Sequence, residues 1–187
     1  MRKFSAIKEW VKSGGSLFLI IDHAPHPKTA ESLATSFGIE THNVVTLDSL
    51  TKDLTVKTPT LLFTKQHNLL GTHPILKGVD SVTTYTGSSL KGPTNSQPLL
   101  ILPSTTFDQD IDLSTKKQRF CSAAGRVQGL AMEFGKGRIV VIAEAGMFTS
   151  KPGTGLYIIG TEGIARKDRG NRQFALNIVK WLAKLKL

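Results

Sequence analysis

A glycine pair, Gly14-Gly15, opens into the apolar run Leu17-Phe18-Leu19-Ile20-Ile21, which breaks off at Asp22-His23-Ala24-Pro25-His26-Pro27. No other stretch narrows the folding choices as much. An unbroken apolar run between helical patterns fits a strand covered on both faces, the condition of a central strand in a parallel sheet. Ligands of open α/β sheets sit at the carboxyl ends of such strands. The polar turn that follows, with one carboxylate and two imidazoles, is therefore the first place to look for function.

The flanking segments agree with an α/β beginning. Phe4, Ile7, Trp10 and Val11 recur at helical spacing, and Ser13-Gly14-Gly15 stops the helix. Beyond the polar turn, Ala30, Leu33, Ala34 and Phe37 form a second stripe that ends at Gly38. Short strands are expected over residues 39–41, 44–47, 61–63, 79–86 and 99–102. Residues 48–59 read as a surface excursion, 105–119 as a long loop, and the glycine-rich 151–163 as a surface wrap. His73-Pro74 reads as a structural turn. The strongest hairpin signal is 127–134, the turn Gly135-Lys136-Gly137, and the apolar run that begins at Arg138. The second strand of that hairpin is apolar on both faces, hence central, and it switches to polar at Glu144. Phe174, Ile178, Trp181, Leu182 and Leu185 give a C-terminal amphipathic helix, with Asp168 or Asn171 as its N-cap. One domain spans 1–187.

Composition bounds the partners. The net charge of +10 raises the question of nucleic acid, but the basic residues are scattered and aromatics are only 7%, too few to interleave as a stacking platform. The reading is a solvated basic surface with no nucleic-acid partner, which leaves an anionic small-molecule ligand or an acidic protein partner. No run is long and apolar enough for a membrane span. The single cysteine, Cys121, fits a reducing compartment and reads as a small buried thiol. With no export signal visible, a cytoplasmic site is the default. His42 and His67 lie in polar surroundings and read as exposed.

The sequence from Ala6 through the Gly14-Gly15 turn to Asp22-His23 resembles class I glutamine amidotransferase-like domains, most closely an uncharacterised bacterial branch. Thr72-His73-Pro74-Ile75, Thr86-Gly87-Ser88, Gly135-Lys136-Gly137-Arg138, Gly146-Met147-Phe148-Thr149 and Asn171-Arg172-Gln173-Phe174-Ala175-Leu176-Asn177 are similar to that branch in the same order. The resemblance implies a flavodoxin-like three-layer sandwich, α/β, with a mainly parallel sheet and one β-hairpin. It places Asp22-His23 where amidotransferases keep their nucleophile elbow. The elbow here lacks the cysteine that glutaminase chemistry requires, so amidotransferase activity is not expected. The first strand–helix unit of the superfamily is also missing.

Three functional readings remain. The first is a non-catalytic or accessory ligand-binding domain whose pocket is lined by Asp22, His23, His26, Thr86, Ser88 and Glu144. The second is a hydrolase in which Asp22 orients His23 or His26 and Ser88 or Thr86 supplies the nucleophile, with Glu144 nearby. A metal held by Asp22, His23 and His26 belongs to that reading, since carboxylate and imidazole are ordinary ligands. A bland alternative has Asp22 capping the next helix or hydrogen-bonding loop amides, and His23 packing on a neighbour. The third is a protein-interaction module that forms a homo-oligomer through a bare edge strand. Nothing in the sequence names a cofactor.

Overall fold

Helix α1, Arg2–Lys12, buries Val11 completely and stops at Gly14, whose φ of +125° suits glycine alone. The computed structural model describes residues 2–50, 60–111, 115, 117–149 and 163–187. The expectation for 151–163 therefore falls outside the described residues apart from Gly163, as does most of that for 48–59. Strand β1, Ser16–Ile20, follows, then α2, Pro27–Ser36. Short strands β2 (Glu40–Thr41) and β3 (Val45–Asp48) come next, then β4 (Thr60–Thr64) and β5 (Ser81–Tyr85). The chain continues through β6 (Leu90–Lys91), β7 (Gln97–Ile101), β8 (Thr106–Ile111) and β9 (Gln118–Ser122). The hairpin expected over 127–143 forms as β10 (Val127–Phe134) and β11 (Gly137–Ile142), and α3 (Asn171–Leu182) closes the described chain.

Sheet topology is where the sequence reading fails. The main sheet runs β1-β11-β10-β6-β2, with β7 also paired to β10. Among the described residues only β1 and β11 run parallel, in register from Ser16↔Arg138 to Ile20↔Ile142. The other pairs, in this sheet and in the separate β3-β8-β9 and β4-β5 sheets, are antiparallel. The fold is thus mostly β, with a mixed and largely antiparallel sheet. That overturns the flavodoxin-like α/β sandwich with its mainly parallel sheet, and with it the amidotransferase-like likeness.

The physical reason lies in β1. Its apolar run suggested a central strand, yet β1 is the outermost strand of its sheet and none of its residues is fully buried. Apolarity on alternate residues reports what covers the two faces of a strand; it is blind to whether a second strand lies beside it. The faces of β1 are indeed covered. Phe18 packs on the core that contains Phe174, Ile178 and Met147, while Leu17 and Leu19 pack on the core of Val11, Ala34 and Phe37. Strand β11 is interior, as expected, and alternates cleanly: Val140 and Ile142 face the α3 side, Ile139, Val141 and Ala143 the α1–α2 side. Each fully buried Val or Ile among them contributes about 1.5–3 kcal/mol of transfer free energy.

Other expectations are corrected locally. Residues 105–119, read as a loop, contain β8 and the start of β9; alternating polar residues there pair across strands, and Phe107 meets Phe120 edge-on at 5.7 Å. Neither Asp168 nor Asn171 caps α3. Gly170 is the N-cap, and Asn171 is buried, accepting from the Thr83 backbone N–H at 2.9 Å and donating to the Thr83 carbonyl at 2.8 Å. Trp10 is 54% exposed, lying over Gly15, where a Cβ would stand 2.4 Å from its ring. Cys121 is exposed, since β9 has no buried face.

Candidate functional site

Three segments that are distant in sequence converge at the end of the parallel pair. The Ile21 N–H donates to the Ile142 carbonyl at 2.8 Å, so the chain leaves β1 beside the end of β11. Ser88 joins both: its N–H donates to the Ala143 carbonyl at 2.9 Å, and its hydroxyl to the Asp22 carbonyl at 3.1 Å. Asp22, Ser88 and Glu144 are thereby brought to one rim. Thr86 lies two residues before Ser88 at φ +60°, with its hydroxyl donating to the Tyr85 carbonyl at 2.6 Å.

The groups at this rim are committed to the backbone. Glu144 is fully buried; one carboxyl oxygen accepts from the Gly146 N–H and the other from the Met147 N–H at 2.7 Å. Burial pushes its pKa up to about 8, the neighbouring Asp22 charge adds to the rise, and the amide donors oppose it. The Asp22 carboxylate accepts from the His23 N–H at 2.8 Å and does not cap α2, whose N-cap is His26. His23 Nδ1 contacts the Ala24 carbonyl at 2.8 Å, which can only accept, so Nδ1 carries the proton. Its Nε2 stands 4.0 Å from Asp22, beyond hydrogen-bond reach. His26 is exposed, its ring centroid 5.9 Å from that of His23. Among the described residues, the hydrogen bonds of these side chains pair no nucleophile with a base. Among the described residues no group of three or more His, Cys, Asp and Glu is placed to hold a metal ion.

A second polar cluster went unseen in the sequence. Asp108 on β8 is 3% exposed and accepts from three side chains: Thr46 Oγ1 at 2.6 Å, Ser89 Oγ at 2.7 Å and Arg126 Nη1 at 2.5 Å. Arg126 Nη1 also lies 3.2 Å from Ser89 Oγ and 3.2 Å from His42 Nδ1. A guanidinium only donates, so Nδ1 of His42 is the acceptor and its Nε2, 3.2 Å from Glu40, carries the proton. His42, expected to be exposed, is thus largely enclosed; burial, then the Arg126 charge, holds its pKa below the ordinary value. Beside the cluster opens a pocket of about 200 Å³ lined by Lys91 and Arg126 over Leu90, Val127 and Leu130. No sequence signal points here, because Asp108 lies in a stretch without clear periodicity and its partners come from three other segments.

His73 behaves as the turn reading requires. It is buried before Pro74, and its Nδ1 accepts from the Ile75 N–H at 3.2 Å. Its ring meets Trp181 edge-on at 4.8 Å, and Arg138 covers Trp181 at 4.9 Å. His67 is exposed.

No family model and no curated protein matches the sequence. Among solved structures, an mmIFT52 N-terminal domain superposes with a TM-score of 0.65 at 14% identity, covering 100% of this chain and 72% of that one. A cytoplasmic protein from Salmonella typhimurium gives 0.49 at 13% identity, covering 96% of this chain and 59% of that one. Another from strain LT2 gives 0.43 at 13% identity, covering 99% and 61%. The first likeness carries the fold and nothing more; together with the antiparallel pairing it replaces the amidotransferase-like assignment. No helix among the described residues is long and apolar enough to cross a membrane.

Proposed function

We propose that this chain is a non-catalytic accessory domain that works by binding, and that its principal contact surface is the side of β1 on which, among the described residues, no strand pairs. The observation that carries the reading is an entirely apolar strand core, Leu17 to Ile20, at the edge of a sheet. Natural edge strands are ordinarily blunted by charge or proline, and β1 has neither. In the parallel pair, Ile21 donates to β11 and Gly15 accepts from it, so the odd-numbered residues face β11. Alternation then turns the N–H and C=O of Ser16, Phe18 and Ile20 to the open side. Ile20 is 42% exposed.

The occupant is an extended apolar segment of a partner protein, acidic where it passes Gly14. Charge complementarity selects it. Lys184 Nζ donates to the Gly14 carbonyl at 3.0 Å and to the Lys136 carbonyl at 3.2 Å, and the Lys136 N–H donates to the Lys12 carbonyl at 2.9 Å. Three lysines therefore ring the start of the strand. Adding a strand supplies main-chain hydrogen bonds for affinity, and those charges set which end lies where. The lone cysteine places the proposal in a reducing, cytoplasmic setting.

Hydrogen exchange at β1 tests the reading. The probe is a synthetic peptide of alternating valine and threonine with two aspartates at one end. It should slow exchange at the Phe18 and Ile20 amides and leave Leu17 and Leu19 unchanged, and the variant K184E should weaken the effect. Unchanged exchange at Phe18 and Ile20, or a stable dimer in light scattering that already protects them, would overturn it.

A further inference from the structure

The geometry points to a second binding site, the pocket beside Arg126, built to take a small organic carboxylate with a short apolar body. Arg126 is held from one side only. Its three hydrogen-bond partners, Asp108, Ser89 and His42, all meet Nη1. Among the described residues neither Nε nor Nη2 has an acceptor, and neither is among the buried polar atoms left without a partner. Nε–H and Nη2–H form the side-on fork of a guanidinium, whose spacing matches the two oxygens of a carboxylate.

The fork is pre-oriented. Asp108, 3% exposed and tied by Thr46 and Ser89, fixes the Nη1 edge, so little rotamer freedom remains to be lost on binding. Arg126 is 28% exposed at its side chain and lines the pocket with Lys91, which adds a second cation at the rim. Leu90, Val127 and Leu130 supply the apolar floor. About 200 Å³ admits a compact molecule. A carboxylate on the fork with a branched alkyl group on that floor satisfies both surfaces; a fully polar anion would leave the floor wet. This pocket lies on β6, β7 and β10, away from β1, and stands independently of the edge-strand proposal.

The test is a titration of the intact chain with 3-methylbutanoate, followed by 1H–15N NMR, beside its neutral amide and inorganic phosphate. Saturable shifts at Arg126 Nε–H and at the Gly92 and Gly125 amides are expected with the carboxylate alone. The conservative R126K variant should weaken binding about tenfold or more, since an ammonium lacks the fork. K91M, at an exposed site, should weaken it less and leave the spectrum otherwise intact. Absence of saturable shifts, equal shifts from the amide or from phosphate, or undiminished binding by a folded R126K would overturn the proposal.

Discussion

Arg126 Nη1 lies 2.5 Å from Asp108 Oδ2, joining the end of the β9–β10 connection to β8 and so one sheet to another. The carboxylate is 3% exposed and the guanidinium 28%, which makes the pair a tie between sheets that is dry at one end and wet at the other.

Breaking that tie from one side should be expensive. Arg126→Met leaves the buried Asp108 carboxylate without its cation and is expected to lower unfolding free energy by about 3–5 kcal/mol. Replacing both partners with D108A and R126M should recover most of the loss, because no unpaired charge is left behind. Urea unfolding of the two single variants and the double variant measures the coupling.

Glu144 makes stability depend on pH from the acid side. Its folded pKa, about 8, stands above the ordinary value of 4.5, so the folded state holds the proton more tightly than the unfolded chain. Its contribution is fully present below pH 4.5 and is lost as pH rises through 8. E144Q keeps a neutral, hydrogen-bonding side chain and should flatten this decline. Thermal midpoints from pH 5 to 9 for both proteins provide the check.

His42 acts in the opposite direction. Burial and the Arg126 charge lower its folded pKa below 6.5, so the folded state resists protonation. Its contribution is complete above pH 6.5 and is lost as pH falls below that value. The Cε1 proton of His42 should titrate below pH 6.5, and in R126M it should move towards the ordinary value. An unchanged titration in R126M would show that the guanidinium contributes nothing.

Two glycines should separate steric contact from backbone strain. A Cβ at Gly137 would stand 2.0 Å from the Val11 carbonyl and 2.3 Å from that of Gly15, main-chain atoms that cannot move aside as a flexible side chain would. Gly78 has φ +70° with nothing within 4 Å. G137A is expected to cost about 3 kcal/mol through overpacking, and G78A about 1 kcal/mol through the left-handed conformation alone. Chemical denaturation of both ranks them.

What the linear sequence determined is local and facial. Periodicity located α1, α2, α3 and the β10–β11 hairpin, because a side chain's burial on one face of its own element repeats at a fixed spacing. The run from Leu17 was rightly a strand, and Asp22, Ser88 and Glu144 do meet where that strand and β11 end. Lateral pairing belonged to the tertiary structure alone. Main-chain N–H and C=O groups are the same in every residue, so side-chain pattern could not reveal that β1 is an edge or that the strands beyond β11 run antiparallel. The same holds for Asp108 and Arg126: a buried charge needs a partner, but only the folded chain chooses which residue meets it.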